Sequence, residues 1–161
     1  MNVRPARLED EAALLEIDQA TWSPMSSPSP EPPPGPFFNE RTRPEDVVVA
    51  EIDGRAVGWA KITHPTPMPS SRHVWHVTGL AVDPDFEGRG AGRALMEALI
   101  DEARARGGRR LTLRVFAPNE RAQRLYERLG FEREGVLRGE FRVGDDEYVD
   151  DVCMALDLAT R

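Results

Sequence analysis

Three glycines at alternate positions, Gly88, Gly90 and Gly92, follow an apolar segment and precede a segment of helical periodicity. Such a turn leads into a helix N-terminus, where main-chain N–H groups lack partners and the helix dipole adds about half a positive charge. Glycines let the main chain approach a phosphate closely because they carry no Cβ. The pattern predicts a diphosphate site at this turn.

The spacing of the glycines excludes the two common nucleotide-binding motifs. A dinucleotide fold requires G-x-G-x-x-G, but Arg93 stands where the third glycine is needed. A P-loop requires a lysine after its last glycine, and none follows here. Considered alone, the glycines also fit a tight connection between a strand and a helix that binds no ligand.

The same turn resembles the acyl-CoA loop of the GNAT superfamily of N-acetyltransferases. In that family a strand ends in apolar-x-Val and is followed by x-Pro and then by [Gln/Arg]-x-x-Gly-x-[Gly/Ala]. Leu80-Ala81-Val82, Pro84, Gly90 and Gly92 fit this motif. Glu87 departs from it, since Gln or Arg is usual at that position.

A second segment looks like another signature of the same superfamily. It reads Asn119-x-x-Ala122-x-x-Leu125-Tyr126-x-x-x-Gly130-Phe131. Asn119 is also a good N-cap for the helix that this spacing predicts. Both motifs occur in the family's order, and the resemblance covers nearly the whole chain apart from a Pro-rich stretch.

The resemblance implies a GNAT fold of the α+β (mixed α/β) class. We expect a central, mostly antiparallel sheet of six to seven strands with a splayed parallel strand pair, flanked by about four helices. We also expect a single acyl-CoA N-acyltransferase domain over residues 1–161, with a Pro-rich loop insertion at about 23–36. That loop is either a mobile surface insertion or a lid over the acceptor site.

Hydrophobic periodicity supports the same order of elements. Helix patterns cover residues 10–20, 93–106 and 120–129. Strand patterns cover residues 2–6, 47–52, 55–62, 73–82, 110–116, 135–143 and 148–156, with Asp53-Gly54 as a hairpin turn. The crossover from strand 73–82 to strand 110–116 predicts that these two strands are parallel. On a regular strand His76, Thr78 and Leu80 would share one face, and Val77, Gly79 and Ala81 the other.

The resemblance also implies which residues bind acetyl-CoA, the expected co-substrate. They belong to the strand end, the glycine turn and two helices. These residues are Leu80, Ala81, Val82, Glu87, Gly88, Arg89, Gly90, Ala91, Gly92, Arg93, Asn119 and Tyr126. Arg89 and Arg93 either pair with phosphates or are solvated. No metal is expected.

Two residues are candidates for proton transfer. Members of the family use a Tyr at the position of Tyr126 to protonate the leaving thiolate; its alternative role is a core aromatic. An ammonium has no lone pair, so acetyl transfer to an amine needs a base. Where many members carry a glutamate, this chain has His76, whose ordinary pKa of about 6.5 suits that task. The alternatives are a polar side chain held in the sheet, or an acid acting through water.

The expected reaction is transfer of an acetyl group to a primary amine of a small molecule or amino acid, by direct attack in a ternary complex. A protein or peptide acceptor, at its N-terminus or a lysine, and a non-catalytic acyl-CoA-binding module are the alternatives. Asp150 and Asp151 either hold a substrate ammonium or form a solvated pair beside a turn. A homodimer would be in keeping with the family.

Composition limits the other classes of function. The net charge of −7 argues against nucleic-acid binding and mildly favours cationic acceptors. No apolar run approaches the length of about 18 residues that a membrane span needs. Cys153 is the only cysteine, so no internal disulfide forms, and we expect a cytoplasmic setting.

Overall fold

Seven strands form one mixed sheet in the computed structural model, which describes residues 1–159. They are β1 (Asn2–Pro5), β2 (Val47–Ile52), β3 (Arg55–Thr63), β4 (Val74–Val82), β5 (Arg110–Phe116), β6 (Glu132–Gly144) and β7 (Glu147–Asp157). Their order is β1-β2-β3-β4-β5-β7-β6. Only β4 and β5 run parallel; the other neighbouring strands in the described chain are antiparallel. The predicted sheet and its parallel pair are confirmed.

Three α-helices lie within residues 1–159, where about four helices were expected. They are α1 (Glu11–Thr21), α2 (Ala91–Ala105) and α3 (Glu120–Arg128). Four single turns of 3-10 helix complete the helical structure of the described chain. The Pro-rich stretch forms no α-helix, because prolines lack the N–H that a helix interior requires. None of the helices in residues 1–159 is long and apolar enough to cross a bilayer.

The helices cover both faces of the sheet. The larger core cluster contains Leu95, Met96 and Leu99 of α2, together with Tyr126 of α3. The smaller cluster contains Leu14 and Ile17 of α1 on the opposite face. The sheet is therefore the middle layer of three, and an opening between two of its strands would connect its faces.

A β-bulge interrupts β4 in the middle. Lys61 of β3 pairs with Gly79, whereas the next residue, Ile62, pairs with Val77, so Thr78 is an extra residue on β4. The regular alternation predicted for this strand is therefore wrong beyond Val77. Val77 and Leu80 both pack towards α2, while Ala81 packs with the α1 cluster.

Gly79 fits at the bulge because it has no side chain. A Cβ at this position would lie 2.5 Å from the ring of Trp59, which packs across it. The bulge thus depends on a glycine at position 79. It changes which side chains in the second half of β4 face the layer formed by α2 and α3.

Candidate active site

The parallel strands β4 and β5 separate part-way along their length. Their last paired residues are Val77 and Leu113, although β4 continues to Val82 and β5 to Phe116. The Asp83 N–H donates to Val57 O of β3 at 2.8 Å. Because main-chain groups of successive strand residues alternate in direction, those of Leu80 and Val82 face the gap. Polar groups in this position need a partner, which a ligand can supply.

The glycine turn presents a series of main-chain donors beside this gap. Gly88 and Gly90 have φ values of +75° and +84°, a conformation that other residues adopt only with strain. The first hydrogen bond into α2 runs from Ala94 N–H to Gly90 O at 3.0 Å. No acceptor within the described residues is recorded for the N–H groups of residues 88–93. This arrangement suits a diphosphate.

A cavity of about 560 Å³ lies along the turn, the end of β4 and α3. Nine of the residues expected to contact acetyl-CoA line it: Leu80, Val82, Glu87, Gly88, Gly90, Ala91, Gly92, Arg93 and Asn119. Three do not. Ala81 faces the α1 cluster because of the bulge, the Arg89 guanidinium lies over the Phe86 ring at 4.9 Å, and Tyr126 lies further along the gap.

Three arginines of α3 are among the cavity residues that the sequence interpretation missed. Arg121, Arg124 and Arg128 line the cavity, and their spacing of three and four residues on a predicted helix was the available signal. Arg121 Nη1 donates to Glu87 Oε2 at 2.6 Å. Arg93, by contrast, is paired within α2, to Glu97 at 2.8 Å.

A second cavity, of about 370 Å³, continues along the gap. Leu80, Asn119 and Ala122 line both cavities, so the two adjoin. The second cavity brings His76 and Tyr126 together, although 50 residues separate them in the chain. Ser26 and Pro28 of the Pro-rich loop also line it. The loop therefore borders the space in which both candidate proton-transfer residues lie.

His76 is held by Thr112 of β5. Its Nδ1 lies 2.7 Å from Thr112 Oγ1, which accepts from Nδ1–H when the single Thr112 hydroxyl proton is donated to Trp75 O at 3.3 Å. Burial lowers the pKa of His76 below its ordinary value of 6.5, and the charge of Arg114 lowers it further, while Asp151 partly opposes this. The imidazole is therefore neutral at neutral pH and can accept a proton.

Tyr126 is buried on α3, and its ring packs near that of Phe131. Burial raises the pKa of Tyr126 to about 12. Its hydroxyl therefore stays protonated at neutral pH. No hydrogen-bond partner for this hydroxyl is recorded within residues 1–159, so its proton can be given to a ligand.

Asp151 is not solvated, which excludes for this residue the solvated pair with Asp150 that was one of its two alternatives. Asp151 is 1% exposed and lines the second cavity. It accepts from Arg114 Nε, and Arg114 also donates to Glu140 at 3.1 Å. Of these three charged residues, Arg114 and Asp151 line the cavity and Glu140 does not, so this wall presents one positive and one negative charge.

Asn119 begins α3 as predicted. Its side chain accepts from the Ala122 N–H at 3.2 Å, the N-cap contact expected from the sequence. Gly130, in the left-handed conformation with φ of +94°, follows the helix. These local contacts fix α3 beside the gap and so set the position of Tyr126.

A family model described as the acetyltransferase (GNAT) family matches residues 12–131. The chain belongs to this family. It is therefore an acetyl-CoA-dependent N-acetyltransferase, with acetyl-CoA as co-substrate. Within the described residues no group of three or more His, Cys, Asp or Glu side chains is arranged to hold a metal ion.

Individual GNAT proteins resemble the chain to different extents. The N-alpha-acetyltransferase RimI of Mycobacterium tuberculosis is 38% identical over 118 residues, covering 72% of each protein. The ribosomal protein bS18-alanine N-acetyltransferase of Escherichia coli is 45% identical over 80 residues, which are 50% of this chain and 53% of that enzyme. The aligned part thus spans about half the length of the latter relative.

A solved structure shows the same fold over the whole chain. The crystal structure of smu.2055 from Streptococcus mutans superimposes with a TM-score of 0.83 at 27% identity. It covers 98% of this chain and 99% of that one. The GNAT fold expected from the two motifs is confirmed.

Proposed function

We propose that this GNAT enzyme transfers the acetyl group of acetyl-CoA to the N-terminal α-amine of a protein or peptide. One observation carries the proposal: the gap between β4 and β5 joins the cavity at the glycine turn to the cavity that contains His76 and Tyr126. The co-substrate and the acceptor can then meet from opposite faces of the sheet. Holding both reactants together supplies much of the rate.

The proton transfers follow from the side chains around the second cavity. His76, or a water that it orients, takes the proton of the acceptor ammonium, so the amine nitrogen gains its lone pair. The amine attacks the thioester carbonyl, and the Leu80 N–H, which faces the gap, stabilises the developing oxyanion. The carbon–sulfur bond breaks as Tyr126 donates its proton to the thiolate, and the attacking nitrogen loses its second proton to water, which leaves a neutral amide and a free thiol. The Tyr126 phenolate then regains a proton from water.

The acceptor is inferred from the size of the second cavity, from the charged residues that line it and from the relatives of the chain. A cavity of about 370 Å³ is at the small end of ligand pockets, so a polypeptide can insert only its terminal residue. Asp151 supplies a carboxylate in the cavity lining that a cationic amine can approach. The names of the two relatives above refer to N-alpha and alanine N-acetylation, which supports a chain terminus over a lysine side chain.

A small amine or free amino acid is the second candidate, because the same small cavity would hold one completely. An acceptor panel separates the two. Purified enzyme is incubated with acetyl-CoA and either peptides with free N-termini, the same peptides with a blocked N-terminus and an internal lysine, or free amino acids and small amines. Released thiol and product mass are measured. We expect kcat/KM to be highest for free N-termini; a preference for small amines would replace the first proposal by the second.

Two further expectations stay predictions. A homodimer rests on the family resemblance alone. The cytoplasmic setting rests on the use of a single cysteine, Cys153.

A further inference from the structure

Glu87 and Arg121 form an ion pair across the mouth of the co-substrate cavity. Glu87 belongs to the glycine turn and Arg121 to the first turn of α3, 34 residues later. Both side chains line the cavity and both are accessible, at 47% and 70% exposure. Glu87 is also the residue at which the turn departs from the usual motif, which has Gln or Arg there.

The pair places a carboxylate where an anion is expected to bind. The N–H groups of residues 88–93 directly follow Glu87, and they form the site that suits a diphosphate. A carboxylate at this point repels a diphosphate unless a cation neutralises it. In the protein without ligand, Arg121 is that cation.

We propose that Arg121 is a diphosphate-binding residue of the co-substrate site and that Glu87 lowers the affinity of this site by competing for Arg121. An exposed ion pair contributes little to stability, whereas an arginine binds phosphate oxygens with two charge-assisted hydrogen bonds. Arg121 therefore exchanges Glu87 for the diphosphate when acetyl-CoA binds. The released Glu87 carboxylate then lies close to the phosphates.

The consequence is faster release of the product CoA, which carries the same diphosphate as acetyl-CoA. Glu87 weakens both complexes equally, because it contacts neither the acetyl group nor the sulfur. Its effect is therefore on affinity and residence time, and it leaves the chemical step unchanged. The inference rests on that part of the proposed function which places the diphosphate at the glycine turn, and not on the identity of the acceptor.

The test is a calorimetric titration of CoA into the wild type and into Glu87→Gln and Arg121→Gln, with the dissociation rate of CoA measured by stopped flow. We expect Glu87→Gln to bind CoA roughly 3- to 10-fold more tightly and to release it more slowly, as expected for the loss of one nearby exposed charge. We expect Arg121→Gln to bind CoA at least about 10-fold more weakly, since it loses a phosphate contact and leaves Glu87 uncompensated.

A matched control separates the local effect from the change in net charge. Glu102 is a partly exposed carboxylate at the far end of α2, where it pairs with Arg106 at 2.7 Å, and it does not line the cavity. Glu102→Gln should leave CoA affinity unchanged. The ratios for the two test variants should be the same with 3′-dephospho-CoA, which retains the diphosphate.

Each other result overturns a stated part. If Glu87→Gln and Arg121→Gln both weaken binding, the ion pair stabilises the structure of the site and Glu87 does not compete for Arg121. If neither changes affinity, Arg121 does not meet the co-substrate. If the effect of Arg121→Gln disappears with 3′-dephospho-CoA, Arg121 binds the 3′-phosphate and the assignment to the diphosphate is wrong. Absence of CoA binding by the wild type would instead contradict the proposed function itself.

Discussion

Val77 of β4 pairs with Leu113 of β5, and in the described residues no pair between these two strands follows it. Immediately after Val77 the bulge at Thr78 turns Leu80 towards α2 and α3. The strands therefore separate at the same position along β4 at which the bulge occurs. Together they create an opening through the sheet whose edge carries the unpaired main-chain groups of Leu80 and Val82.

Substitution of Tyr126 by phenylalanine tests the general acid. Tyr126→Phe keeps the buried ring and removes only the hydroxyl, so we expect kcat to fall by about 100-fold or more, since a general acid usually contributes at least that much. The affinity for acetyl-CoA should change little. Steady-state kinetics and a calorimetric titration measure the two quantities. A variant with unchanged kcat would remove Tyr126 from the mechanism.

The pH dependence of the reaction tests His76. The neutral imidazole is the active form, so kcat/KM should fall as the pH decreases through the pKa of His76, which lies below its ordinary value of 6.5. His76→Asn should lower kcat by about 100-fold and abolish this acidic limb. If the limb persists in His76→Asn, another group is the base.

The same shift of pKa affects stability. The pKa of His76 is lower in the folded protein than in the unfolded chain, so its contribution to folding is complete above about pH 6.5 and is lost as the pH falls through the folded-state value. Urea unfolding at several pH values should show a smaller loss of stability on acidification in His76→Asn than in the wild type. Equal losses would mean that the imidazole is not perturbed.

Asp151 should influence both the acceptor and His76. Asp151→Asn removes a negative charge from the wall of the second cavity, so the KM for a cationic amine should rise several-fold. Because the charge of Asp151 raises the pKa of His76, its removal should also move the acidic limb to lower pH. Acceptor kinetics as a function of pH measure both effects. An unchanged limb together with an unchanged KM would place Asp151 outside the acceptor site.

Gly79→Ala tests the bulge. A Cβ at this position lies 2.5 Å from the ring of Trp59, so we expect a loss of about 1–3 kcal/mol in the free energy of unfolding, the usual cost of overpacking. Gly135→Ala is the control, because a Cβ there has no neighbour within 4 Å. Chemical denaturation compares the two. Equal stability of both variants would show that Trp59 moves aside at no cost.

Local patterns in the sequence predicted most of the fold. The Asp53-Gly54 hairpin, the Asn119 cap and the crossover between β4 and β5 each depend on neighbouring residues, and each is found in the structure. The bulge could not be predicted in this way. The bulge depends on Trp59, which contacts Gly79 from the adjacent strand. The hydrophobic periodicity of β4 itself therefore does not indicate the bulge.

The residues of the two cavities likewise differ in how well the sequence predicts them. The residues of the glycine turn are consecutive, so their motif identifies the co-substrate site. The second cavity collects Arg114, Asp151 and Ser26 from three distant parts of the chain, and only the fold brings them beside His76. The burial of Asp151 depends on the ion pair with Arg114, which strand periodicity alone does not reveal.

A crystal structure of the protein with acetyl-CoA tests the central claim most directly. We predict that the diphosphate contacts the N–H groups of residues 88–93 and that the thioester lies in the gap between β4 and β5, with its carbonyl oxygen within hydrogen-bond distance of Leu80 N–H and its sulfur beside the Tyr126 hydroxyl. A thioester bound outside that gap, away from both Leu80 and Tyr126, would contradict the account.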